Sequence, residues 1–479
     1  MSYDVVVVGG GVGGLAVAAL LSARGMKVCL LERQSQVGGC IGKLEFHGLR
    51  VDPGMGIHTS WGKGELFETL FAQLSVTPPK TTLVKSDYIV RLPDQTDIGI
   101  NSSELFYEQL RSSFPERGNA AVGFYKTVER VLTESSNTGG LSKRLHSFFR
   151  KSPSERSDAL SRTAIEYADG TSNRFKAFID AQLQAFAQTP IEHCSFISAC
   201  VALSLLRHDR YTIEGGPEAV AESLADALKK SGGVLRLNAP VLRLAYDQHG
   251  ETIGVDLLSG ETVLANRAII SNMTVWDTYG KLVGLNKTPS HVKKEIAKLR
   301  SKGVYMLYAS LNEAAMSRLP SETFLVTGDW PRATDESGTT SAEFTVAASQ
   351  FVQSGNRGIT FKTSTEVERW FSFQTGEEDY ESWDQEELER FWSHIHHRIP
   401  EFGGDLEVIE TASPRTYYDE TRRKLGFVQG YQKTLESQGL QSFETPISKL
   451  YLVGDTASSF PSIDSVVESA LALALELTK

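Results

Sequence analysis

Cysteine is scarce in this chain. Its 479 residues include four cysteines, at positions 29, 40, 194 and 200, and no two of them form a C-x-x-C pair. Four scattered thiols are too few to build a disulfide framework. A reducing compartment is therefore the expectation, and we predict a cytoplasmic protein.

Positive charge is also in deficit. The chain carries 49 lysines and arginines against 59 aspartates and glutamates, which gives a net charge of −10. A broad nucleic-acid surface needs a positive field, so no nucleic-acid partner is expected. A small basic patch that contacts a membrane is compatible with this balance.

A long apolar run is missing as well. The stretch from Val5 to Ala23 has no charge, but the preceding residues 1–4 lack the positive flank of a signal peptide. The glycines at 9–11 divide this stretch into a short strand and a helix, and neither can span a bilayer. We therefore expect a soluble chain that at most lies on a membrane surface.

The chain is long for one hydrophobic core, so two structural units are expected. A β-branched run at 4–8, a helix at 13–24 and an apolar strand at 26–32 predict a βαβ unit. A helix is predicted at 217–231, and a last strand and helix at 449–453 and 464–478. Between the helix 217–231 and the last strand, the predicted strands are 234–238, 240–246, 252–258 and 263–270.

The rest of the chain has a different pattern. Residues 76–204 are more polar and predict mainly helices, with loops at 135–140 and 169–173. Short strands separated by polar turns predict an antiparallel sheet, and a helix is expected at 384–398 before Pro400. These strands are 304–311, 323–327, 343–348 and 359–363.

A dinucleotide fingerprint lies in the βαβ unit. Residues 9–14 satisfy G-x-G-x-x-G between an apolar strand and a helix, and Glu32 ends the next strand. Gly9 permits the tight turn, Gly11 lets the backbone approach a pyrophosphate, and Gly14 lets helix and strand pack closely. Val12 and Gly13 begin the helix, whose N–H groups favour phosphates. Glu32 suits a ribose diol.

Four further segments carry a resemblance to a family. Residues 32–39, 51–58, 211–217 and 450–455 resemble the FAD-binding segments of the amine oxidase and phytoene desaturase superfamily. The resemblance implies FAD as cofactor and an α/β fold, in which a discontinuous Rossmann-like FAD-binding domain holds an inserted α+β substrate domain of antiparallel sheet plus helices. The implied FAD-binding domain comprises 1–75, 206–283 and 441–479, and the substrate domain comprises 76–205 and 284–440.

The same resemblance implies roles for single residues. Asp455 would bind the ribityl chain, and Val241 would pack near the adenine. The helix after Asp455 would point its N-terminus at the flavin. The further cofactor-binding residues that it implies are Arg33, Gly39, Cys40, Gly56, Ile57, Gly454, Ser465 and Val466.

The chain departs from the family pattern in two places. Cys40 stands where the family usually has an arginine after the Gly-Gly pair, so one phosphate or ribose contact is in question. Ser462 and Ser465 stand where carotenoid desaturases usually have glycines. Asp464, between them, fits a helix N-cap. If it instead faced flavin N1, its charge would disfavour the anionic reduced flavin.

Within the superfamily, segments 178–189 and 399–430 resemble the carotenoid desaturases and their related isomerases and saturases. This resemblance implies an apolar substrate such as a carotenoid or another polyisoprenoid, desaturated by hydride transfer to flavin N5. No second G-x-G-x-x-G unit is present, so oxygen or a quinone is the expected electron acceptor. His58 is the titratable residue expected near the flavin, and no metal site is predicted, because the histidines at 394, 396 and 397 fit a surface helix.

Three alternatives stay open at this point. A flavin amine oxidase would use the same FAD segments and an aromatic cage, supplied by residues 370–373 or by Tyr417 and Tyr418. A flavin-dependent polyene isomerase or saturase would differ only in its product, and an escort protein would have lost FAD. The basic, partly apolar stretch 141–151 is the candidate for contact with a membrane, with an ordinary solvated helix as the other interpretation.

Overall fold

The computed structural model describes residues 2–54, 56–134, 161–329, 342–371, 377–437, 442–458 and 460–479. The stretch 141–151, predicted to contact a membrane, lies outside these ranges, as does the predicted loop 135–140. Within the described ranges no helix combines the length and the apolar character needed to cross a bilayer.

The strands are numbered in chain order. They are β1 Ser2–Val8, β2 Val28–Leu31, β3 Glu45–Phe46, β4 Leu49–Arg50, β5 Thr81–Leu83, β6 Tyr88–Arg91, β7 Asp97–Ile100, β8 Tyr211–Ile213, β9 Val234–Arg236, β10 Val241–Tyr246, β11 Thr252–Leu257, β12 Thr262–Ser271, β13 Gly303–Asn312, β14 Thr323–Thr327, β15 Ala342–Gln353, β16 Asn356–Thr365, β17 Leu406–Ala412 and β18 Leu450–Leu452.

The α-helices are numbered in the same way, and single 3₁₀ or π turns lie between some of them. They are α1 Val12–Ala23, α2 Leu66–Leu74, α3 Leu105–Ser113, α4 Gly118–Glu134, α5 Ala164–Tyr167, α6 Asn173–Ala187, α7 Phe196–Leu205, α8 Glu218–Lys230, α9 Val275–Asp277, α10 Ser290–Lys298, α11 Glu313–Met316, α12 Glu377–Arg398, α13 Pro414–Thr421 and α14 Ile463–Leu477.

The first large sheet is a Rossmann-like layer. Its order is β10-β11-β12-β1-β2-β9, and β18 pairs with β12. The central strands β18, β12, β1, β2 and β9 run parallel, whereas β10 and β11 add an antiparallel edge. Helices α1, α8 and α14 pack together on one face, because α1 is apolar on all sides and buried from Val12 to Ser22. Three distant segments of sequence thus form one layer, as predicted.

The second large sheet has the order β17-β13-β16-β15-β14-β6-β7. It was predicted to be antiparallel throughout, and this is wrong at one place, because β6 pairs parallel to β14. The prediction of mainly helices over 76–204 is also wrong at its start, where β5, β6 and β7 lie. Strand β6 pairs with β14, more than 200 residues away in the chain, a contact that no local pattern reveals, and β7 pairs with β6 at the sheet edge.

A helical layer packs beside the second sheet. Helices α3, α4, α6 and α7 share one aromatic-rich core with the inner face of β6 and β7. The described strands β13 to β16 and helix α12 form another core on the opposite side of the sheet. We propose that the two large sheets mark two domains with the boundaries predicted from the sequence.

Candidate functional site

The loop at residues 9–14, named the phosphate loop below, makes a turn that requires glycine at several positions. An ideal Cβ on Gly14 would lie 2.2 Å from the carbonyl oxygen of Gly9, and one on Gly11 would lie 2.6 Å from the side-chain nitrogen of Asn272. Gly9 has a φ of 102°. Helix α1 begins at Val12, and within the described chain no side chain caps its first turn. The N–H groups of this turn are therefore available to an anion.

Asn272 packs against this loop, and the sequence analysis did not predict this contact. It follows β12 directly, and its backbone N–H donates to the carbonyl of Val8 at 2.8 Å. Its side chain contacts the positions of Gly9, Gly11 and Gly14. The available signal was its place at the carboxyl end of a parallel strand beside β1, where doubly wound sheets bind ligands.

The predicted ribose-binding acid lies at the other side of the loop. The Glu32 carboxylate accepts hydrogen bonds from the backbone N–H of Gly10 at 2.6 Å and of Gln34 at 2.7 Å. The carbonyl of Glu32 accepts from Ala239 at 2.8 Å, which brings the start of β10, with Val241, to this end of the site. Arg33 turns away and donates to the carbonyl of Glu420.

The turn at Gly454 and Asp455 lies at the same site. This turn is called the cradle below, together with residues 9–14, Glu32 and Asn272. Gly454 follows β18 with a φ of 123°. The carboxylate of Asp455 forms an ion pair with Arg423 and accepts from the backbone N–H of Gly430 at 3.1 Å. The predicted ribityl-binding acid thus carries a partner that the sequence did not indicate.

Helix α14 begins beside this turn. The prediction that Asp464 is its N-cap is wrong: Ser462 is the N-cap, and its hydroxyl accepts from the backbone N–H of Ser465 at 3.2 Å. The carboxylate of Asp464 instead accepts from the Thr59 and Ser60 hydroxyls. Helix α14 also packs on the phosphate loop, because an ideal Cβ on Gly13 would lie 2.9 Å from Cγ1 of Val466.

These groups fit an extended dinucleotide. The uncapped helix start suits phosphates, the Glu32 carboxylate suits the hydroxyls of a ribose, and Asp455 suits a polyol chain. At Gly11, Gly13 and Gly14 an ideal Cβ would lie less than 3.0 Å from another atom of the protein, so the close packing of this loop requires glycine. We propose that FAD is held by the residues predicted above, with Asn272 added to them.

A mainly apolar cavity of about 200 Å³ is lined in part by residues predicted to lie near the flavin. Cys40, Ile57 and His58, all predicted to lie near the flavin, line its wall, whereas Gly56 lies in a neighbouring recess. Most of the wall is apolar and buried. Its apolar members include Trp61, Phe67, Phe186, Leu205, Ile213, Val220, Val304, Met306, Val428 and Phe460.

Few ionisable groups interrupt the apolar wall. Nε2 of His58 lies 3.3 Å from a carboxylate oxygen of Asp52. Burial acts to raise the pKa of Asp52, but the hydrogen bond and charge of His58, with the Gly54 N–H, outweigh it and lower that pKa. Burial raises the pKa of Asp464 to about 6, against the hydrogen bonds from two hydroxyls.

Lys362 is the other ionisable group of interest in the cavity. It lies in the middle of β16, on the face opposite to the buried Phe361. Among the described residues its ammonium nitrogen finds no hydrogen-bond partner, although it is shielded from solvent. Burial lowers the pKa of Lys362 to about 7, so this amine can hold or release a proton near neutral pH.

The described aromatic residues proposed for an amine-oxidase cage do not gather around the cavity. Tyr417 lines the cavity, and its hydroxyl lies 3.2 Å from that of Tyr308. Trp370 and Phe371 instead pack in the core between the second sheet and α12. Tyr418 contacts Phe371 and does not line the cavity, and position 373 lies outside the described residues.

Comparisons with known proteins agree with this geometry. Residues 7–74 match the family model of the NAD(P)-binding Rossmann-like domain. The chain is 26% identical to a chloroplastic prolycopene isomerase of Arabidopsis thaliana, over 96% of this chain and 79% of the relative. It is 23% identical to the all-trans-retinol 13,14-reductase of Rattus norvegicus, over 94% of this chain and 82% of that one.

Among solved structures, a putrescine oxidase variant superposes with a TM-score of 0.68 over 100% of this chain and 99% of its own, at 14% identity. That likeness shows the fold. The Rossmann match, the glycine loop and the two relatives, which align over 79% and 82% of their length, together support FAD as the cofactor. The chain is an FAD-dependent oxidoreductase that is similar in sequence to a prolycopene isomerase and a retinol reductase, and similar in fold to a putrescine oxidase.

Proposed function

We propose that this enzyme acts on the double bonds of an apolar polyene of the carotenoid or retinoid class. The observation that carries the proposal is the apolar cavity, which reaches the residues predicted to face the flavin. The names of its relatives, a prolycopene isomerase and a retinol reductase, support the same substrate class.

Bound FAD supplies the redox chemistry, by exchanging a hydride at its N5 position. The protein has to bind the polyene, orient it and keep water away from the reacting carbon. The cavity wall suits this role, since Phe186, Met306 and Phe460 are each at most 3% exposed. We propose that Lys362 and Asp464, whose pKa values lie near neutrality, hold the protons that the double bonds gain or lose.

Desaturation is the direction that the resemblance of segments 178–189 and 399–430 implies. Oxygen or a quinone would then accept the electrons. Isomerisation is the second candidate, because the isomerase relative aligns over 96% of this chain. Both candidates use the same cavity and cofactor, so the product decides between them.

The test is the mass of the product. The purified enzyme is loaded with FAD and incubated with an acyclic carotene or all-trans-retinol in detergent micelles. We expect a converted polyene that has lost two hydrogens, or one of unchanged mass and altered retention if isomerisation occurs. Turnover of small amines with release of hydrogen peroxide, and of no polyene, would overturn the proposal.

Asp464 gives a prediction for the pH dependence of stability. Its folded pKa of about 6 is above the ordinary value of 3.8. Ionisation therefore costs stability, and this cost is absent below pH 3.8 and complete above about pH 6. We expect Asp464→Asn to raise the free energy of unfolding by about 1 kcal/mol or more at pH 8, and to have little effect at pH 4.

Thermal melts at the two pH values measure this effect. Asp226→Asn is the matched control, because Asp226 is an exposed partner of Lys229 at 3.8 Å on α8. This control should change the melting temperature little at either pH. An Asp464→Asn variant that is stabilised equally at pH 4 and pH 8 would contradict the assignment.

A further inference from the structure

Arg423 is a loop arginine whose side chain is largely buried and hydrogen-bonded. It follows Arg422, which ends helix α13 in the left-handed region with a φ of 54°. Its Nε donates to the carbonyl of Phe427 at 2.6 Å, and its Nη2 forms the ion pair with Asp455. The side chain is only 16% exposed. The guanidinium is therefore fixed against the cradle that holds the cofactor.

On one side, Arg423 is connected to the phosphate loop through Cys40. The backbone N–H of Gly38 donates to the carbonyl of Gly10 at 2.9 Å. An ideal Cβ on Gly39 would lie 3.5 Å from the Cα of Gly11, so the next residue, Cys40, stands at the edge of the loop. Burial raises the pKa of the Cys40 thiol, and the nearby Arg423 guanidinium opposes this effect.

On the other side, the connection runs through Asp455. The preceding Gly454 packs on Asn272, since its ideal Cβ would lie 3.0 Å from the side-chain oxygen of that residue. The same asparagine contacts the position of Gly11. Arg423 thus bridges the two chain segments that border the phosphate loop.

The backbone of the cradle supplies less positive charge than the diphosphate of FAD needs for its neutralisation. The diphosphate of FAD carries two negative charges, whereas a helix N-terminus contributes about half a positive charge. Glu32 and Asp455 add negative charge to the same cradle. A guanidinium binds phosphate oxygens through paired, charge-assisted hydrogen bonds, which a cysteine cannot form.

We propose that Arg423 supplies the cationic contact to the diphosphate of FAD, in place of the arginine that the family pattern has at position 40. Position 40 is a cysteine, so the guanidinium comes instead from Arg423 in the loop after α13. This inference concerns cofactor binding, so it is independent of the polyene that the enzyme converts.

The first test is the affinity of the apoprotein for FAD, measured by quenching of flavin fluorescence. Arg423→Gln should weaken binding by about 10- to 100-fold, the effect of losing a charge-assisted hydrogen bond. Arg422→Gln is the matched control, because Arg422 is half exposed and pairs with Asp419 at 2.8 Å. The proposal is overturned if Arg423→Gln binds FAD within about threefold of the unaltered chain.

A second measurement separates a phosphate contact from the mere positioning of Asp455. ADP contains the diphosphate, whereas riboflavin has the ribityl chain and no phosphate. A phosphate contact predicts that Arg423→Gln weakens the competition of ADP with FAD and leaves riboflavin binding unchanged. Unchanged ADP binding together with weaker riboflavin binding would show a positioning role and overturn the proposal.

The third variant moves the cation to its family position. In the double variant Cys40→Arg with Arg423→Gln, the guanidinium comes from the segment after Gly39. We expect FAD affinity to recover to within about threefold of the unaltered chain. The inference would be contradicted if the double variant bound FAD as weakly as Arg423→Gln alone and if ADP still competed normally with FAD in both variants.

Discussion

Replacing Gly14 by alanine is expected to abolish FAD binding. The new Cβ would lie 2.2 Å from the carbonyl oxygen of Gly9 and 3.1 Å from the Cβ of Asn272. Neither contact is relieved by a side-chain rotation, so the turn must open and the start of α1 must shift. Because we propose that this turn and helix hold the diphosphate, we expect FAD affinity to fall at least about 100-fold, as measured by flavin fluorescence titration.

Gly123 provides the control for this substitution. It lies in α4, and its ideal Cβ meets no atom within 4 Å. Gly123→Ala should leave FAD binding unchanged and stabilise the helix by about 0.5–1 kcal/mol, since alanine loses less conformational entropy than glycine. FAD binding by Gly14→Ala at the affinity of the unaltered chain would show that the loop does not hold the cofactor.

Lys362→Met is expected to give a more stable protein that is nearly inactive. Burial lowers the pKa of this lysine from 10.5 to about 7 in the folded state. The unfolded chain therefore binds more protons between these values, and the stability of the folded state rises with pH across this window. Below about pH 7 the cost of the buried lysine is complete. Methionine has a similar volume and no charge, so the free energy of unfolding should rise by about 2 kcal/mol at pH 6.

Activity should move in the opposite direction. If Lys362 holds a proton for the reacting double bond, its loss should lower kcat by about 100-fold or more, with FAD still bound. The profile of kcat against pH should also lose its inflection near pH 7. Chemical denaturation at pH 6 and pH 9, combined with turnover of the polyene, measures both effects.

Lys433→Met is the matched control. Lys433 is also buried with a pKa lowered to about 7, but it does not line the cavity. Its replacement should give a smaller gain in stability at pH 6, because its ammonium lies 3.5 Å from the Ser458 carbonyl and 4.0 Å from the Tyr431 ring centroid, and the inflection near pH 7 should remain. Full polyene turnover by Lys362→Met would contradict the role assigned to this lysine.

The cofactor half of the molecule could be predicted from the sequence because its signals are local. The glycines at 9–14 and the acid at Glu32 lie on consecutive elements, and β1, α1 and β2 form within three residues of the predicted bounds. Strand β14 matches its prediction, and the strands around it were located by their apolar character.

The remaining parts depend on contacts between distant segments. Strand β6 pairs with β14 across more than 200 residues, and Arg423 meets Asp455 from a loop with no motif of its own. Asp464 was a plausible N-cap by residue type, but Ser462 caps α14 and frees its carboxylate to meet Thr59. Lys362 left a weak signal, the one charge in the predicted strand 359–363, whose meaning depends on the cavity beside it.

The central claim is that FAD and an apolar polyene meet in one cavity, and a difference spectrum of the flavin tests it most directly. All-trans-retinol does not absorb in the flavin band, and when it enters the cavity it changes the polarity around the flavin, so its titration into the FAD-loaded enzyme should shift the flavin band near ~450 nm with saturation. Putrescine, titrated in parallel, should cause no shift. A saturable shift with putrescine and none with the polyene would contradict the claim.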